Sequence, residues 1–208
     1  MTVSSKEMRE VLTRALNALP AHADELRELD AALGDGDLGI TVRAGSAAVV
    51  KALSALPDEA SVADVLLAAG KAFSTANPST FAALVGGGLL AAAKATAGVQ
   101  SAGRADALTI GRAVAARIVE RGKSQVGDKT VLDALVPSLD TLEASEGSAV
   151  ELLDAMIATA QAQVAATASM QSRKGRAAWV QERSIGHADP GATAYVRFLE
   201  ALRTAFAA

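Results

Sequence analysis

The sequence predicts an all-α protein in which neighbouring helices pack antiparallel, and three observations lead to this fold class. Half of the 208 residues are hydrophobic while only 3% are aromatic, a balance that favours closely packed helices. Apolar residues recur at helical spacing in eight segments, some of which follow a capping box. The connections between these segments are short and polar, as expected between antiparallel neighbours in a helical bundle.

The first predicted helix begins after a capping-box pattern at residues 4–7 and runs to about residue 29. Its apolar face is formed by Met8, Leu12, Leu16 and Leu19. Turn residues bound the other seven predicted helices, which lie at about 38–55, 61–75, 80–97, 105–122, 130–143, 149–172 and 190–206.

Two of these helices have strong local signals. The seventh starts at a second capping box, residues 148–151, and the last carries an apolar stripe between Tyr195 and Phe206. No segment convincingly predicts a strand, and neither a repeat nor an interdomain linker is found. Residues 1–208 are therefore expected to form a single domain.

Composition excludes several classes of protein. Without cysteine, the chain has no disulfide framework, no thiolate nucleophile and no cysteine zinc site. A net charge of −3 provides no electrostatic surface for nucleic acid. Because no apolar run reaches membrane-spanning length and the N-terminus lacks a signal-peptide core, we expect a soluble cytoplasmic protein with neither nucleic acid nor membrane as partner.

Three carboxylates lie close together in the glycine-broken segment 30–39. Asp35 and Asp37 flank Gly36, which lets the backbone turn tightly enough to direct both side chains at one point, and Asp30 ends the preceding helix. A few loop aspartates form a suitable partial shell for Mg²⁺, whereas an EF-hand is excluded because the bidentate glutamate is missing. Since aspartate is also an ordinary turn and cap residue, the residues alone leave both interpretations open.

Helix starts elsewhere carry residues that suit an anion. Thr130 follows Gly127 at one such start, and Ser79 and Thr80 precede another; free backbone N–H groups and the helix dipole favour negative charge at these places. Each hydroxyl is equally suited to act as an ordinary helix cap.

The segment before the last helix supplies a cation and a rigid turn. The planar guanidinium of Arg176 is suited to bind phosphate oxygens, although it also fits a solvated surface cation. The Asp189-Pro190-Gly191 turn allows the backbone to present its edges to a flat ligand.

In order and separation, these segments resemble the nucleotide-binding L subunit of dihydroxyacetone kinase. The most specific part comprises 174–177, 182–187 and 189–193, with 127–130 in support, and the resemblance spans nearly the whole chain. It implies an antiparallel barrel of eight helices with a nucleotide, ADP or ATP, bound at one end.

The resemblance also implies roles for individual residues. The metal ligands, holding two Mg²⁺ ions that bridge the nucleotide phosphates, would be Asp30, Asp35 and Asp37. Arg176 would contact phosphate as the catalytic cation, and Gly39 and Thr41 would line the phosphates. Ser79 and Thr80 would substitute for the family's phosphate-covering segment, and Thr130 would be a further nucleotide-binding residue. The nucleoside would lie near Gly122, Val131, Asp189, Pro190 and Gly191.

In this family a separate K subunit holds the acceptor through a histidine, and nothing in this chain resembles that subunit. The chain would therefore be the phosphoryl-donor half of the enzyme, using either ATP or a bound ADP that a phosphotransferase-system protein rephosphorylates. Two departures from the family pattern, Leu38 in place of histidine and the segment 77–83, favour a divergent member acting on dihydroxyacetone or another small sugar such as a tetrose.

Two questions stay open at this point. The same departures leave a non-catalytic alternative, in which a Mg²⁺-nucleotide protein regulates or scaffolds another protein. The oligomeric state is also open, with a homodimer among the alternatives.

Overall fold

The computed structural model describes residues 2–208. The α-helices of this part of the chain are α1 Ser5–Ala18, α2 Ala23–Leu33, α3 Leu38–Ser54, α4 Val62–Ala76, α5 Thr80–Ala95, α6 Arg104–Gly122, α7 Val131–Ala144, α8 Ala149–Thr167 and α9 Pro190–Ala207. Two 3-10 segments lie at Leu19–His22 and Arg176–Ser184. The two-residue strands β1 Val3–Ser4 and β2 Ser101–Ala102 pair antiparallel, with Val3 opposite Ala102. Among residues 2–208, no helix is long and apolar enough to cross a membrane.

The predicted all-α class is confirmed, and two predicted helices need correction. The helix expected over 5–29 is divided by the 3-10 turn at Leu19–His22, because Pro20 lacks the N–H that would continue the α-helical ladder and its ring would clash with the preceding turn. The helix expected over 149–172 ends at Thr167. Both predicted capping boxes, at Ser4 and Ser148, are present.

The helices form a closed ring. Each helix from α3 to α8 packs against the next one, and α1 packs against both α9 and α3. The unit formed by α1, the 3-10 turn and α2 lies between α9 and α3, so the ring has eight positions, as the family resemblance implied. Short connections make consecutive helices antiparallel, except that α8 and α9 are joined by the long connection 168–189.

The ring encloses an apolar core rich in alanine and leucine. One cluster of buried residues lies between α1–α5 and α9 and includes Leu26 and Val65; a second lies between α6–α9 and includes Leu132. Close packing of α4 against α5 requires glycine, because a Cβ added at Gly70 would lie 2.9 Å from the carbonyl oxygen of Gly86.

Alternate connections of an antiparallel ring lie at the same end of the barrel. Four of them, 34–37, 77–79, 123–130 and 168–189, meet at what we call the site end. Each is followed by the start of a helix, α3, α5, α7 or α9 respectively, so four positive ends of helix dipoles converge there.

Candidate metal and nucleotide site

The three predicted metal ligands lie together at the site end. Asp30 belongs to the last turn of α2, Asp35 to the following connection, and Asp37 immediately precedes α3. One carboxylate oxygen from each lies within 4.8 Å of the others. The tight turn between them depends on Gly36, whose φ of +73° is readily adopted by glycine. Asp30 is fixed further by accepting a hydrogen bond of 3.1 Å from the Leu38 N–H.

The electrostatics of this cluster suit a divalent cation. Partial burial, with the nearby charge of Asp30, raises the pKa of Asp37 above its ordinary value. Arg176 is the cation that faces the cluster: its guanidinium pairs with Asp35 and lies 3.9 Å from an oxygen of Asp37. Three carboxylates around one guanidinium leave negative charge on hard oxygen donors, which is the ligand chemistry that Mg²⁺ prefers.

A hydrogen-bonded group joins the start of α5 to α3 beside the aspartates. The buried Thr41 hydroxyl donates to the Ser79 hydroxyl at 3.2 Å and accepts from the Asn77 amide at 2.8 Å. Ser79 in turn accepts from the Ala82 N–H and caps α5. Of the two interpretations that the sequence allowed for Ser79, the structure shows the cap, while Thr80 is exposed beside it. Sequence reasoning did not assign a role to Asn77.

Gly39 is buried against a neighbouring helix. A Cβ added there would lie 2.0 Å from the carbonyl oxygen of Ala23 and 3.0 Å from the Cβ of Arg27. The need for glycine at this position is therefore explained by the close approach of α3 to α2, at the turn that carries the aspartates.

The starts of α5, α7 and α9 meet at a small apolar surface. A Cβ added at Gly191 would lie 3.6 Å from both the Phe81 ring and the Cβ of Val131. Pro190, at the first position of α9, is buried beside it. The end of α6 approaches α5, since a Cβ added at Gly122 would lie 3.8 Å from the Leu84 side chain. Most of the predicted nucleoside-side residues are thus brought to neighbouring helix ends.

Two of the residues predicted to bind the nucleotide also cap helices. Thr130 accepts a hydrogen bond from the Leu132 N–H and caps α7, while its own N–H donates to Asp133 at 2.7 Å. Asp189 accepts from the Ala192 N–H at 2.7 Å and caps α9. Burial raises the pKa of Asp189 to about 7, with Asp133 adding to the rise, although the backbone donors and Lys129 oppose it.

Lys129 is a buried organising residue that sequence reasoning missed. Its side chain is completely inaccessible to solvent, and the ammonium donates to the carbonyl oxygens of Ala168, Met170 and Ser184 at 3.1, 2.8 and 2.6 Å. Burial lowers its pKa, while the charge of Asp189 acts in the opposite direction. The local sequence gives no signal for this, because lysine is almost never fully buried.

The fold and the site together define a closed helical barrel with an acidic, magnesium-compatible centre at one end. The chain belongs to the DAK2 domain family, whose profile matches residues 32–204. The family resemblance seen in the sequence is confirmed.

Two relatives illustrate the range of the family. The chain is 32% identical over 208 residues to the ADP-binding subunit DhaL of the PEP-dependent dihydroxyacetone kinase of Escherichia coli, with 99% of each chain covered. It is 34% identical over 183 residues to the L-erythrulose 1-kinase of Mycolicibacterium smegmatis, covering 86% of this chain but only 32% of that protein.

A solved structure has the same fold. The dihydroxyacetone kinase of C. freundii, crystallised in complex with AMP-PNP and Mg²⁺, aligns with a TM-score of 0.76 at 24% identity. The alignment covers 98% of this chain and 34% of that one.

Proposed function

We propose that this chain binds a Mg²⁺-nucleotide at the site end and acts as the phosphoryl-donor subunit of a dihydroxyacetone-kinase-like enzyme. The observation that carries the proposal is the cluster of Asp30, Asp35 and Asp37, with oxygens within 4.8 Å of one another and Arg176 beside them. The E. coli relative, named as an ADP-binding subunit and matched over 99% of both chains, supports it.

The phosphate side of the site would work through charge and position. The three aspartates would hold Mg²⁺, which when bound offsets the negative charge of the phosphates and orients them for transfer. Arg176, already held beside Asp35, would bind a phosphate oxygen through its planar guanidinium. The starts of α3 and α5, with Gly39, Thr41, Ser79 and Thr80, would add backbone donors and the positive ends of two helix dipoles.

The nucleoside side would use the apolar surface at the starts of α5, α7 and α9. A flat base would lie against Val131 and Phe81, beside Gly191, which contributes no side chain. Gly122, Thr130, Asp189 and Pro190 would border the same place.

For the acceptor, we propose a small ketose held on a separate K-type subunit. Two relatives from M. smegmatis are named L-erythrulose 1-kinase and D-erythrulose kinase, which supports dihydroxyacetone or a tetrose as the substrate class, although the chain matches only about a third of each protein.

The surface around the site supports a protein partner. Seven large hydrophobic side chains are exposed among residues 2–208, and four of them, Ile40, Val126, Trp179 and Ile185, lie on segments at the site end. Trp179 is 82% exposed. We propose that these four side chains form an apolar rim that a partner covers, and a docked partner would exclude water from the reacting phosphate.

For the phosphoryl source, we propose a resident ADP that is rephosphorylated on the protein. The E. coli and Listeria innocua relatives are named as subunits of PEP-dependent kinases, and the Lactococcus lactis relative as a subunit of a PTS-dependent one. Free ATP as the donor is the competing case. ADP that co-purifies with the chain and exchanges slowly would support the resident form, whereas rapid exchange of ATP would contradict it.

One observation favours the non-catalytic alternative. Leu38 is buried in the core cluster between α1–α5 and α9, so the position after Asp37 contributes no polar side chain to the phosphates. In that case the chain would bind a Mg²⁺-nucleotide but support no phosphoryl transfer when supplied with a K-type subunit and ketose. Turnover in the reconstituted pair would exclude this alternative.

Calorimetric titration with ADP and ATP, each with and without Mg²⁺, tests the proposed site. We expect Asp35→Asn to abolish Mg²⁺-dependent binding while the far-UV circular dichroism and the unfolding midpoint stay unchanged, because Asp35 is exposed and has little packing to lose. Asp24→Asn removes another exposed carboxylate and is the matched control. Equal nucleotide affinity in wild type and Asp35→Asn would contradict the metal assignment.

A further inference from the structure

Each N–H donor of the buried Lys129 ammonium has a hydrogen-bond acceptor. An ammonium has three N–H donors, and here three backbone carbonyls accept from it. Such a charge is tolerated in the interior only when its hydrogen bonds are made. Lys129 also has a φ of +60°, a left-handed conformation that is uncommon for residues other than glycine. A backbone position that would suit glycine thus carries a long cationic side chain, which points to a requirement for that side chain.

The three carbonyls lie at the two ends of one long connection. Ala168 and Met170 lie at the start of the segment between α8 and α9, and Ser184 lies 14 residues after Met170. Lys129 therefore links the beginning of this connection to the segment that precedes α9.

Other hydrogen bonds stabilise the same part of the connection. The Gly186 N–H donates to the Ala168 carbonyl at 2.8 Å, and the Ser172 N–H donates to the Ser184 hydroxyl at 2.9 Å. The Arg173 N–H donates to the carbonyl of Asp128, the residue before Lys129, at 3.0 Å. We call residues 168–172 and 184–186 the stem and residues 173–183 the tip.

The tip reaches the acidic cluster. It carries Arg176, which pairs with Asp35, and the exposed Trp179. The 3-10 segment of the tip packs against α2, the helix that ends in Asp30. The position of Arg176 is therefore set at one side by the aspartates and at the other by the stem.

We propose that Lys129 is a positioning residue for the phosphoryl-donor site: its ammonium closes the stem and thereby holds Arg176 opposite Asp30, Asp35 and Asp37. The role given to Arg176 rests on the proposed function, whereas the anchoring of the tip by Lys129 does not.

The anchoring is tested without any ligand. Lys129→Met keeps the length of the side chain but removes all three donors. We expect trypsin to cut at the exposed Arg173, Lys174 or Arg183 about 10- to 100-fold faster than in wild type, the range for losing hydrogen bonds from a charged donor. The fluorescence anisotropy of Trp179, the single tryptophan of the chain, should fall while the helical circular dichroism is retained.

Two further variants sharpen this test. Lys94→Met, at an exposed position in α5, is the control and should leave both readouts unchanged. Lys129→Gln keeps a polar side chain with two N–H donors but loses the charge and the third donor. It should loosen the tip in the same direction, so it decides the question if Lys129→Met does not fold. Wild-type cleavage rates and anisotropy in folded Lys129→Met, or in Lys129→Gln if Lys129→Met does not fold, would overturn the anchoring.

The positioning of Arg176 is tested by a double-mutant cycle on the affinity for Mg²⁺-ADP. If Lys129 acts through Arg176, Lys129→Met weakens binding in the wild-type background and adds no further loss in an Arg176→Ala background. Additive losses would overturn the positioning role. A wild type that binds no nucleotide would overturn the proposed function, while proteolysis and anisotropy would still decide whether Lys129 anchors the tip.

Discussion

The burial of Asp189 makes a quantitative prediction about how stability depends on pH. This carboxyl is 9% exposed, caps α9 and has its pKa raised from 3.8 to about 7. Below pH 3.8 the group is protonated in both the folded and unfolded chain, and between pH 3.8 and 7 the folded chain holds a proton that the unfolded chain has released. The stabilisation from this difference is therefore lost as the pH rises towards the folded pKa.

The Asp189→Asn variant isolates this contribution. Asparagine is also a good N-cap, so the hydrogen bond to the Ala192 N–H is kept while the titrating group is removed. With pKa values of 3.8 and about 7, the linkage relation makes wild type lose about 2.5 kcal/mol of unfolding free energy relative to the variant between pH 5 and pH 8. Most of this change falls below pH 7.

Urea unfolding followed by circular dichroism at pH 5, 6, 7 and 8 measures the difference directly. Comparing variant with wild type at each pH cancels the contributions of the other carboxylates. Asp24→Asn, which removes an exposed carboxylate, controls for the change in net charge. A difference between wild type and Asp189→Asn that stays constant across this range would show that the buried carboxyl does not hold its proton, and would refute the reasoning.

Two further predictions concern packing and docking. Gly39→Ala should lower the unfolding free energy by about 1–3 kcal/mol or more in urea unfolding, since its Cβ would lie 2.0 Å from the Ala23 carbonyl oxygen; wild-type stability would contradict the close approach of α3 to α2. Trp179→Ala should weaken association with a K-type subunit by about tenfold or more in a binding assay and leave Mg²⁺-nucleotide affinity unchanged, as expected for an exposed aromatic anchor. Leu67→Ala, another exposed hydrophobic position, is the control, and equal effects of both variants would contradict a docking rim at the site end.

Features of the fold that depend on nearby residues were predictable from the sequence. The capping boxes at Ser4 and Ser148 involve residues three positions apart, so their pattern is visible in the sequence. Proline was less informative: Pro20 ends α1, whereas Pro137 lies inside an uninterrupted α7. The local rule that proline breaks a helix does not separate these cases, because the packing of the flanking turns decides whether the helix continues.

In the candidate site, too, contacts between residues close in sequence were predictable, and contacts between distant residues were not. Asp30, Asp35 and Asp37 lie within eight residues, and their proximity follows from one turn. The bond between Thr41 and Ser79 spans 38 residues and that between Lys129 and Ser184 spans 55, so both depend on closure of the ring. A threonine or lysine engaged in this way cannot be distinguished in the sequence from one on the surface.

The starts of α3 and α5 at the site end differ from the helix starts at the opposite end. The start of α7 does not, because Asp133 accepts the Thr130 N–H in a capping box of the same kind. The helices α1, α4, α6 and α8 begin at the opposite end. Each has a carboxylate three residues after its cap that accepts the cap's N–H, namely Glu7, Asp64, Asp106 and Glu151.

Those internal carboxylates satisfy backbone donors and offset the positive ends of the helix dipoles. At the site end, α3 and α5 have no acidic residue in their first turn, and the carboxylates lie instead in the adjoining connection, with Arg176 among them. At the start of α3 the Leu38 N–H donates to the carboxylate of Asp30, whereas the start of α5 is capped by the Ser79 hydroxyl and has no carboxylate partner. A phosphate group held beside the aspartates would supply negative charge at the start of α5, which is why we propose that the nucleotide phosphates lie between α3 and α5.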